Sequence, residues 1–486
     1  MRVHLVGVSG TGMGALAALL REAGEEVSGS DVAFDPPVGP MLRDLGIRCL
    51  EGYDAAHLEP RPDLVVVGNA IRRTNVEAQA AEALDLPRTS MSRALRDRFL
   101  ARRRPLVVAG THGKTTTSAM CAWLLVRAGY DPGWFIGGLP KGLPASAAIG
   151  STHVRPGRGR APFVVEGDEY DAVYWHKEPK FFDYVGVGPD DVAIVTSVEH
   201  DHIDIYPDVA SYEAAFRSFV RAVPEGGLIV CDAHDARARA IVSSEARARV
   251  AWYALERDDT GDVNPGWVAA PAAPLSGSGA AQAFDLFAGG VSCGRFTMRV
   301  PGHHNVRNAA AAIAACAEGF GASVTELRGH LGAFEGVRRR QDLLGEPGGV
   351  RVYDDFAHHP TAVDETLRAL RARHPQGALW VAFEPRSATA CRALHQEAYA
   401  RAFDAADHVL LAPLGRSLPE GERLDLPRLA RELGPKAEAM PGVEAIVERV
   451  VRDAAPGDTV AVLSNGAFGG IHGKLLDGLA RPRPAP

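Results

Sequence analysis

The chain has few lysines, no closely spaced cysteines and no long hydrophobic run. Lysine occurs only at positions 114, 141, 177, 180, 436 and 474, so arginine carries most of the positive charge. The six cysteines show no CxxC spacing, which disfavours a disulfide framework or a cysteine-bound zinc site and indicates a reducing compartment. No apolar run approaches the roughly 18 residues of a membrane span. The first strand begins without a basic region and cleavage site, so we expect a cytoplasmic protein.

The bulk composition is typical of a folded globular protein. Hydrophobic residues make up 46% and charged residues 23% of the 486 residues, a length that allows two or three domains with ample cores. The formal net charge of −7 gives no sign of affinity for nucleic acid or membranes. We expect neither of these as a partner, and we expect a monomer or a weak homodimer.

The most informative stretch is the run Leu-Val-Val-Ala-Gly-Thr-His-Gly-Lys-Thr-Thr-Thr at residues 106–117. An apolar strand ends at Gly110, and an amphipathic helix is predicted from Lys114 to about Ala128. Backbone N–H groups at such a helix start bind phosphate, Lys114 can reach the β- and γ-phosphates, and the Thr115 hydroxyl can ligate Mg²⁺. The spacing is GxxGKT rather than the commoner GxxxxGKT. A Gly-Lys-Thr run is common by chance, but the flanking strand and helix favour a nucleoside triphosphate site.

The first hundred residues alternate strand and helix patterns, which predicts a parallel α/β sheet. The first turn is glycine-rich over Gly7–Gly14, and Asp31 closes the second strand about 20 residues further on. In dinucleotide-type turns, glycines let the backbone approach a diphosphate and the carboxylate accepts from a ribose hydroxyl. A tight turn without any ligand is the alternative at this place.

Two later segments repeat the α/β alternation. Arg102–Pro105 is predicted to be a solvated linker, and Ala269–Ala281 a surface loop. The third segment begins after Arg338–Arg340 and ends near Leu479, before a frayed tail at 481–486. The sequence predicts a helix at Met13–Ala23 and strands at Val3–Val6, Glu26–Gly29, Leu64–Gly68, Ile194–Val198, Val350–Tyr353, Leu379–Phe383, His408–Leu411 and Thr459–Leu463.

Two acidic clusters follow predicted strands of the middle segment. Residues 166–169 read Glu-Gly-Asp-Glu and stand where a phosphate-loop domain places a further Mg²⁺ ligand, with Glu166 the best candidate. Residues 199–202 read Glu-His-Asp-His. Because no cysteine or further histidine stands at ligand spacing, a transition-metal site is less favoured there than Mg²⁺ and substrate contacts.

Six motifs occur in order along the chain: Gly-Thr-His-Gly-Lys-Thr-Thr-Thr at 110–117, Glu-Gly-Asp-Glu at 166–169, Val-Glu-His-Asp-His at 198–202, Gly-His-His-Asn-Val-Arg-Asn at 302–308, Arg-Arg-Arg-Gln at 338–341 and Asp-Asp-Phe-Ala-His-His-Pro at 354–360. In these motifs the chain resembles the Mur ligases, which build the peptide of bacterial peptidoglycan by ATP-driven amide formation. The resemblance covers essentially the whole chain and implies an α/β fold of three domains. These are an N-terminal Rossmann-like UDP-binding domain at 1–103, a central P-loop ATPase-like domain at 104–335 and a C-terminal Rossmann-like acceptor-binding domain at 336–486.

Within the family, the first turn and the Ser-Gly-Ser-Asp run at 28–31 resemble the branch that uses UDP-N-acetylmuramate. Members of this branch add either L-alanine or the recycled tripeptide L-alanyl-γ-D-glutamyl-meso-diaminopimelate. Tyr170, the Glu-Pro-Arg-Ser run at 384–387 and the Ser-Asn-Gly-Ala-Phe-Gly-Gly-Ile-His run at 464–472 favour the tripeptide. The implied activity is an ATP- and Mg²⁺-dependent ligase of peptidoglycan recycling that forms ADP and phosphate; addition of L-alanine is the alternative.

The scarcity of lysine also bears on the metal site. Several Mur ligases hold a second Mg²⁺ with a carbamylated lysine that follows the metal histidine. No lysine lies between Lys180 and Lys436 here, and Arg217 stands at about the expected position. We therefore expect that this device is absent.

The resemblance assigns roles to individual residues. The expected catalytic residues are Lys114, Glu166 and His202, and the expected Mg²⁺ ligands are Thr115, Glu166 and His202, with a role for His202 as base for the incoming amine as the alternative. Expected ATP contacts are Gly110, Thr111, His112, Gly113, Lys114, Thr115, Thr116, Asn305, Asn308, Arg339 and Asp355. Expected UDP-sugar contacts are Gly10, Thr11, Gly12, Met13, Ser30, Asp31 and Asn69. Expected peptide contacts are Arg386, Ser464 and Phe468. The sequence does not decide the roles of His200, His358 and His359.

Two other classes of function compete with a ligase. An NAD(P)-dependent oxidoreductase would use the first turn and leave the phosphate loop without a role. A non-catalytic nucleotide-binding regulator would not need Lys114, Glu166 and His202 together. Both are therefore disfavoured.

Overall fold

The computed structural model describes residues 1–152, 159–273 and 281–481. The predicted α/β class is confirmed, because these residues form three large sheets with helices packed against them. The predicted frayed tail, apart from Arg481, and most of the predicted surface loop lie outside the described residues. Among the helices that the structure describes, none combines the length and the apolarity needed to cross a membrane.

The first sheet has five parallel strands in the order β3-β2-β1-β4-β5, which is the order of a Rossmann half with its first strand at the centre. Its strands are β1 (Arg2–Val6), β2 (Glu26–Asp31), β3 (Arg48–Glu51), β4 (Leu64–Val67) and β5 (Arg88–Ser90). Its helices are α1 (Thr11–Glu22), α2 (Val38–Asp44), α3 (Val76–Ala83) and α4 (Met91–Leu95), the last continued by a π-helical turn at Arg96–Leu100.

The second sheet has ten strands in the order β17-β16-β15-β14-β13-β12-β6-β9-β7-β8. Its strands are β6 (Arg104–Ala109), β7 (Gly133–Phe135), β8 (Ala147–Ala148), β9 (Pro162–Glu166), β12 (Val192–Val195), β13 (Leu228–Asp232), β14 (Arg249–Leu255), β15 (Trp267–Ala272), β16 (Gln282–Ala288) and β17 (Val291–Met298), and a separate hairpin pairs β10 (Asp171–Val173) with β11 (His176–Pro179). Its helices are α5 (Lys114–Arg127), α6 (Val209–Ala222), α7 (Ala236–Glu245), α8 (His303–Ala314) and α9 (Val324–Leu331). The central strands are continuous buried apolar runs, as expected of a parallel sheet covered on both faces.

The third sheet has the order β18-β19-β23-β20-β21-β22. Its strands are β18 (Asp342–Gly345), β19 (Arg351–Asp355), β20 (Leu379–Phe383), β21 (His408–Leu411), β22 (Ala437–Ala439) and β23 (Thr459–Leu463). Its helices are α10 (Pro360–Arg373), α11 (Gln396–Ala402), α12 (Leu426–Leu433), α13 (Val443–Asp453) and α14 (Ile471–Ala480). The strands predicted at β20, β21 and β23 are confirmed with the same bounds.

Two predictions about connecting segments are wrong. The expected linker Arg102–Pro105 is partly structural, because Arg104 begins β6 and the Arg103 side chain is buried, where it donates to the carbonyl of Phe99 at 2.7 Å. The first part of the expected loop Ala269–Ala281 belongs to β15, which pairs antiparallel with β16. In both cases backbone or guanidinium hydrogen bonds outweigh a local composition typical of loops.

Candidate active site

The phosphate loop connects β6 to α5 and depends on two glycines. Gly110 has φ of 135° and Gly113 has φ of 80°, both in the region that favours glycine. A Cβ at Gly110 would collide with the Thr196 hydroxyl, and a Cβ at Gly113 with the side-chain oxygen of Asn308. The spacing GxxG therefore reflects close approach of the loop to β12 on one side and to α8 on the other.

The end of β12 holds the loop in place. The Thr111 hydroxyl donates to the Glu199 carbonyl at 2.7 Å and accepts from the Glu199 N–H at 2.9 Å. The His112 N–H donates to the Ser197 hydroxyl at 3.0 Å, and the Thr196 hydroxyl donates to the His112 carbonyl at 2.6 Å. These bonds fix the backbone that precedes the first turn of α5.

Lys114 lies at the centre of a charged cluster. Its ammonium donates to the Gly110 carbonyl at 2.6 Å and to Glu169 Oε1 at 3.0 Å. The same Glu169 oxygen is 3.0 Å from His202 Nε2, and Glu169 is 1% exposed. The structure thus brings two expected catalytic residues, Lys114 and His202, onto one buried carboxylate, Glu169, which is not among the expected site residues.

The charges in this cluster stabilise one another. Burial alone would lower the pKa of Lys114, but the Glu169 carboxylate outweighs it and raises that pKa. Burial would raise the pKa of Glu169, but Lys114 and His202 outweigh it and lower that pKa. The second oxygen of Glu169, Oε2, has no hydrogen-bond partner within the described part of the chain. A buried ionised oxygen of this kind is available to a further cation or donor.

Thr115 and Glu166 form an adjacent pair of oxygen donors. The Thr115 hydroxyl donates to Glu166 Oε1 at 2.8 Å, and the Gly137 N–H donates to Glu166 Oε2 at 2.7 Å. Hydroxyl and carboxylate oxygens are the ligands that Mg²⁺ prefers. The residues therefore fit the Mg²⁺ ion that the sequence implied. His202 faces Glu169, not this pair, in the hydrogen bonds that the structure gives it.

The remaining expected nucleotide residues of the second sheet are mostly buried. Thr116 lies in the first turn of α5 and is almost fully buried. Asn308 stands against Gly113 of the phosphate loop and donates to the Asn305 side-chain oxygen at 3.2 Å. Asn305 in turn donates to the Pro301 carbonyl at 2.7 Å. The two asparagines therefore form one chain of hydrogen bonds behind the loop.

The Arg-Arg-Arg-Gln run at 338–341 contacts both the phosphate-loop region and the third sheet. Arg339 donates to the carbonyls of Ser464 and Gly466 at 2.8 and 2.7 Å. Asp355 accepts from the Gln341 N–H at 2.7 Å. Arg340, which was not selected from sequence, donates to the Thr115 hydroxyl at 3.3 Å. The Arg-Arg-Arg-Gln run thus connects the phosphate loop with the end of β23.

Of the expected peptide residues, Arg386 and Ser464 both contact Glu384, whereas Phe468 lies in the core. Arg386 is about half exposed and lies 3.9 Å from Glu384, whose other oxygen accepts from the Ser464 hydroxyl at 2.5 Å. Phe468 is fully buried in a core that includes Ile471 and Leu475. The structure therefore does not support Phe468 as a peptide contact, because its apolar ring packs against the sheet and is not accessible to a ligand. Glu384 was missed, although it begins the Glu-Pro-Arg-Ser run.

The expected UDP-sugar residues lie at the carboxyl ends of β1, β2 and β4. Gly10 precedes α1, whose first residues are Thr11, Gly12 and Met13. Asp31 Oδ2 accepts from the Ser9 N–H at 2.8 Å, which holds the glycine-rich turn, and Asn69 is exposed after β4. Ser30 is buried and donates to Glu77 rather than to open space.

The three histidines of undecided role also have defined contacts. His200 Nε2 is 2.9 Å from the Tyr206 carbonyl, and His358 Nδ1 is 3.0 Å from the Phe356 carbonyl. His359 is the residue immediately before α10 and lies 5.0 Å, ring to ring, from His112 of the phosphate loop. His112 Nε2 is 2.7 Å from Glu199 Oε2.

Family models match this chain in three places. They are the catalytic domain of the Mur ligase family at residues 2–103, the Mur ligase middle domain at 173–316 and the Mur ligase glutamate ligase domain at 339–466. The three matches follow the order of the three sheets.

Individual proteins are similar over most or all of the chain. The UDP-N-acetylmuramate–L-alanyl-γ-D-glutamyl-meso-2,6-diaminoheptandioate ligase of Escherichia coli strain K12 is 38% identical over 486 residues, which is 100% of each chain. The UDP-N-acetylmuramate–L-alanine ligase of Kineococcus radiotolerans is 41% identical, covering 84% of this chain and 81% of that protein. A crystal structure of a murein peptide ligase from Psychrobacter arcticus 273-4 has a TM-score of 0.72 and 32% identity, covering 100% of each chain.

Proposed function

The chain belongs to the Mur ligase family, and we propose that it joins the lactyl carboxylate of UDP-N-acetylmuramate to the amine of L-alanyl-γ-D-glutamyl-meso-diaminopimelate. Mur ligases are ATP-dependent, so the chain is a ligase that forms ADP and phosphate. Family membership decides for a ligase over an oxidoreductase or a non-catalytic regulator. The proposed domains are residues 1–103 for the UDP-sugar, 104–335 for ATP and 336–486 for the acceptor.

The observation that carries this proposal is the convergence of Lys114, Thr115 and Glu166 at the end of β6. Lys114 and the first turn of α5 offer positive charge and backbone N–H groups to the phosphates of ATP. Thr115 and Glu166 would hold Mg²⁺, which would neutralise negative charge on the phosphates of ATP. A phosphoryl group is transferred from ATP to the lactyl carboxylate, which becomes an acyl phosphate.

The second step is attack of the acceptor amine on the acyl phosphate carbon, with release of inorganic phosphate. Because carboxylate and γ-phosphate are both anions, positioning and charge neutralisation are the main contributions of the protein. We propose that Lys114, Glu166 and His202 carry this chemistry, and that Glu169 fixes the positions of Lys114 and His202. Asn308, Arg339 and Asp355 would support the nucleotide side of the site.

Most of the other expected contacts keep their expected roles, whereas Ser30 and Ser464 act through a neighbouring carboxylate and Phe468 does not contact the peptide. The turn at Gly10–Met13 and Asp31 would bind the UDP moiety, with Ser30 acting through Glu77 and Asn69 contacting the ligand directly. Arg386 would pair with a carboxylate of the tripeptide, and Ser464 would hold Glu384 beside it. Phe468 has no contact with the peptide in this proposal, because its side chain is fully buried.

The location of the enzyme follows from its proposed substrates. ATP and UDP-N-acetylmuramate are nucleotides of the cytoplasm, and we propose that the enzyme acts there. We further propose that it works as a monomer or weak homodimer, with neither nucleic acid nor a membrane as partner.

Addition of L-alanine is a second candidate function. The observation that favours it is the 41% identity to the L-alanine ligase of Kineococcus radiotolerans. The full-length coverage of the Escherichia coli tripeptide ligase favours the first candidate.

Phosphate release distinguishes the two functions. The assay contains ATP, Mg²⁺ and UDP-N-acetylmuramate, with either the tripeptide or L-alanine as acceptor. Turnover with the tripeptide alone supports the proposal, and turnover with L-alanine alone supports the second candidate function. No turnover with either acceptor overturns both functions.

A further inference from the structure

Three residues that are far apart in sequence place metal-ligating atoms close together. They are His112 in the phosphate loop, Glu199 after β12 and His359 immediately before α10, and one ligand atom from each lies within 4.8 Å of the others. His112 Nε2 is 2.7 Å and His359 Nδ1 is 3.8 Å from Glu199 Oε2. The cluster therefore joins the second and third sheets.

His359 is the least satisfied member of this cluster. Its side chain is 5% exposed, and neither ring nitrogen has a hydrogen-bond partner among the residues that the structure describes. A buried imidazole without a partner is costly, since most buried polar groups in proteins are hydrogen-bonded. The Nδ1 atom faces Glu199 from beyond hydrogen-bond distance, and an ion between the two groups would satisfy both.

The Glu199 carboxylate is held in position by another residue. The Thr361 hydroxyl, in the first turn of α10, is 3.0 Å from Glu199 Oε1 and 2.9 Å from Oε2. Such outer hydrogen bonds orient ligating carboxylates in metal sites. The orientation of Glu199 is thus set from the third sheet, as is the position of His359.

The protonation states of His359 and Glu199 suit ligation as well. Burial and the neighbouring His112 lower the pKa of His359 to about 3, which leaves its ring neutral with a free lone pair. Burial opposes ionisation of Glu199, but the hydrogen bond from His112 outweighs it and lowers the pKa of that carboxyl to about 2. Neutral imidazole and ionised carboxylate are the forms that bind metals.

We propose that His112, Glu199 and His359 form a site for a divalent transition-metal ion of the Zn²⁺ class, separate from the Mg²⁺ pair Thr115 and Glu166. Two imidazoles and one carboxylate are a ligand set of tetrahedral Zn²⁺ sites that leave a fourth position open. Mg²⁺ prefers oxygen ligands and is disfavoured here. Binding replaces the hydrogen bond between His112 and Glu199 by two metal–ligand bonds.

A bound ion would tie the phosphate loop to the start of α10. Because His112 belongs to the loop and His359 to the third sheet, the ion would hold the two sheets together at the ATP side of the site. Sequence spacing does not reveal this set, since the nearest two of its members are 87 residues apart.

The test is Zn²⁺ binding to the full-length protein after treatment with a chelator, in excess Mg²⁺ and without substrates. We expect one tightly bound Zn²⁺ per chain, and binding of Co²⁺ with the intense visible absorption of a tetrahedral site. His359→Gln and Glu199→Gln should each weaken binding by at least roughly tenfold, since even the loss of an outer-shell partner costs that much. His330→Gln, on α9 and outside the cluster, is the matched histidine control.

Binding of Zn²⁺ to the wild-type protein and to four variants tests whether His112, Glu199 and His359 hold the ion. Weak binding in both variants, with normal binding in His330→Gln and Glu166→Gln, supports the site, and the Glu166 variant excludes the Mg²⁺ pair as the origin of the signal. No binding to the wild-type protein, or equal binding to Glu199→Gln, overturns it. If His359→Gln fails to fold, His112→Asn replaces it as the second variant. The readout is independent of ligase activity, so its failure leaves the proposed function intact.

Discussion

The Lys114 ammonium lies 3.0 Å from a carboxylate oxygen of Glu169, a residue four positions beyond the end of the neighbouring strand's apolar run. The same oxygen is 3.0 Å from His202 Nε2. One buried acid thus connects the phosphate loop with the histidine that follows β12. The arrangement of charge at the proposed phosphoryl-transfer site thus depends on the last residue of the Glu-Gly-Asp-Glu run, in which Glu166 alone was expected to have a role.

Lys114→Ala should abolish ligase turnover while binding of UDP-N-acetylmuramate survives. The lysine is the positive charge proposed to stabilise the transferred phosphoryl group, and loss of such a group typically costs about 100-fold or more in kcat. The measurements are phosphate release and calorimetric binding of the UDP-sugar. Lys177→Ala, at a largely exposed lysine paired with Asp171, is the matched control. Persistent ligation in Lys114→Ala would refute the phosphate-loop assignment.

Glu169→Gln should lower both stability and turnover. The amide keeps the shape but removes the negative charge that Lys114 and His202 share, which leaves buried cations less satisfied at a cost of about 1–3 kcal/mol. We expect a lower free energy of unfolding in urea and a lower kcat, with little change in the KM for peptide. Glu178→Gln, at an exposed glutamate, should change neither quantity. An unchanged kcat in Glu169→Gln would show that Glu169 does not position the cluster.

Local sequence predicted the phosphate loop but not its surroundings. Gly110, Gly113 and Lys114 lie in one short motif whose strand and helix are set by neighbouring residues, so their placement follows from chain order. The burial of Glu169 depends on contacts 33 and 55 residues away, which no local pattern encodes. The buried position of Phe468 likewise follows from packing under β23, although its motif stands beside exposed Arg386. Long-range packing thus determines the positions of Glu169 and Phe468, whereas local sequence determines the phosphate loop.

Arg386→Ala should raise the KM for the tripeptide and leave the KM for ATP nearly unchanged. The guanidinium is half exposed beside Glu384, and a charge-assisted pair with a substrate carboxylate contributes about 1.5–3 kcal/mol. Steady-state kinetics with each substrate varied in turn measures the two constants. Arg416→Ala, at an exposed arginine whose Nε donates to the Arg386 carbonyl, is the control. Equal rises in both KM values would show that Arg386 is not a peptide contact.

Gly113→Ala should destabilise the protein more than Gly129→Ala, although both glycines flank α5 and have similar φ of 80° and 74°. A non-glycine residue in this region costs about 1–3 kcal/mol at either position. At Gly113 the added Cβ also collides with Asn308, whereas at Gly129 no atom lies within 4 Å of it. Urea unfolding of the two variants measures the difference. Equal destabilisation would mean that the loop moves away from α8 without cost.

Acidification should destabilise the fold partly through His374. Burial, together with the charges of Arg351 and Arg373, lowers the pKa of His374 in the folded protein from 6.5 to about 4. Between these values the unfolded chain binds a proton that the folded protein does not, so the stabilisation is complete above pH 6.5 and is lost as the pH falls toward 4. His374→Gln should flatten this slope in urea unfolding measured across that window, and His303→Gln, at an exposed histidine on α8, should not. An unchanged slope in His374→Gln would place the acid sensitivity on other groups.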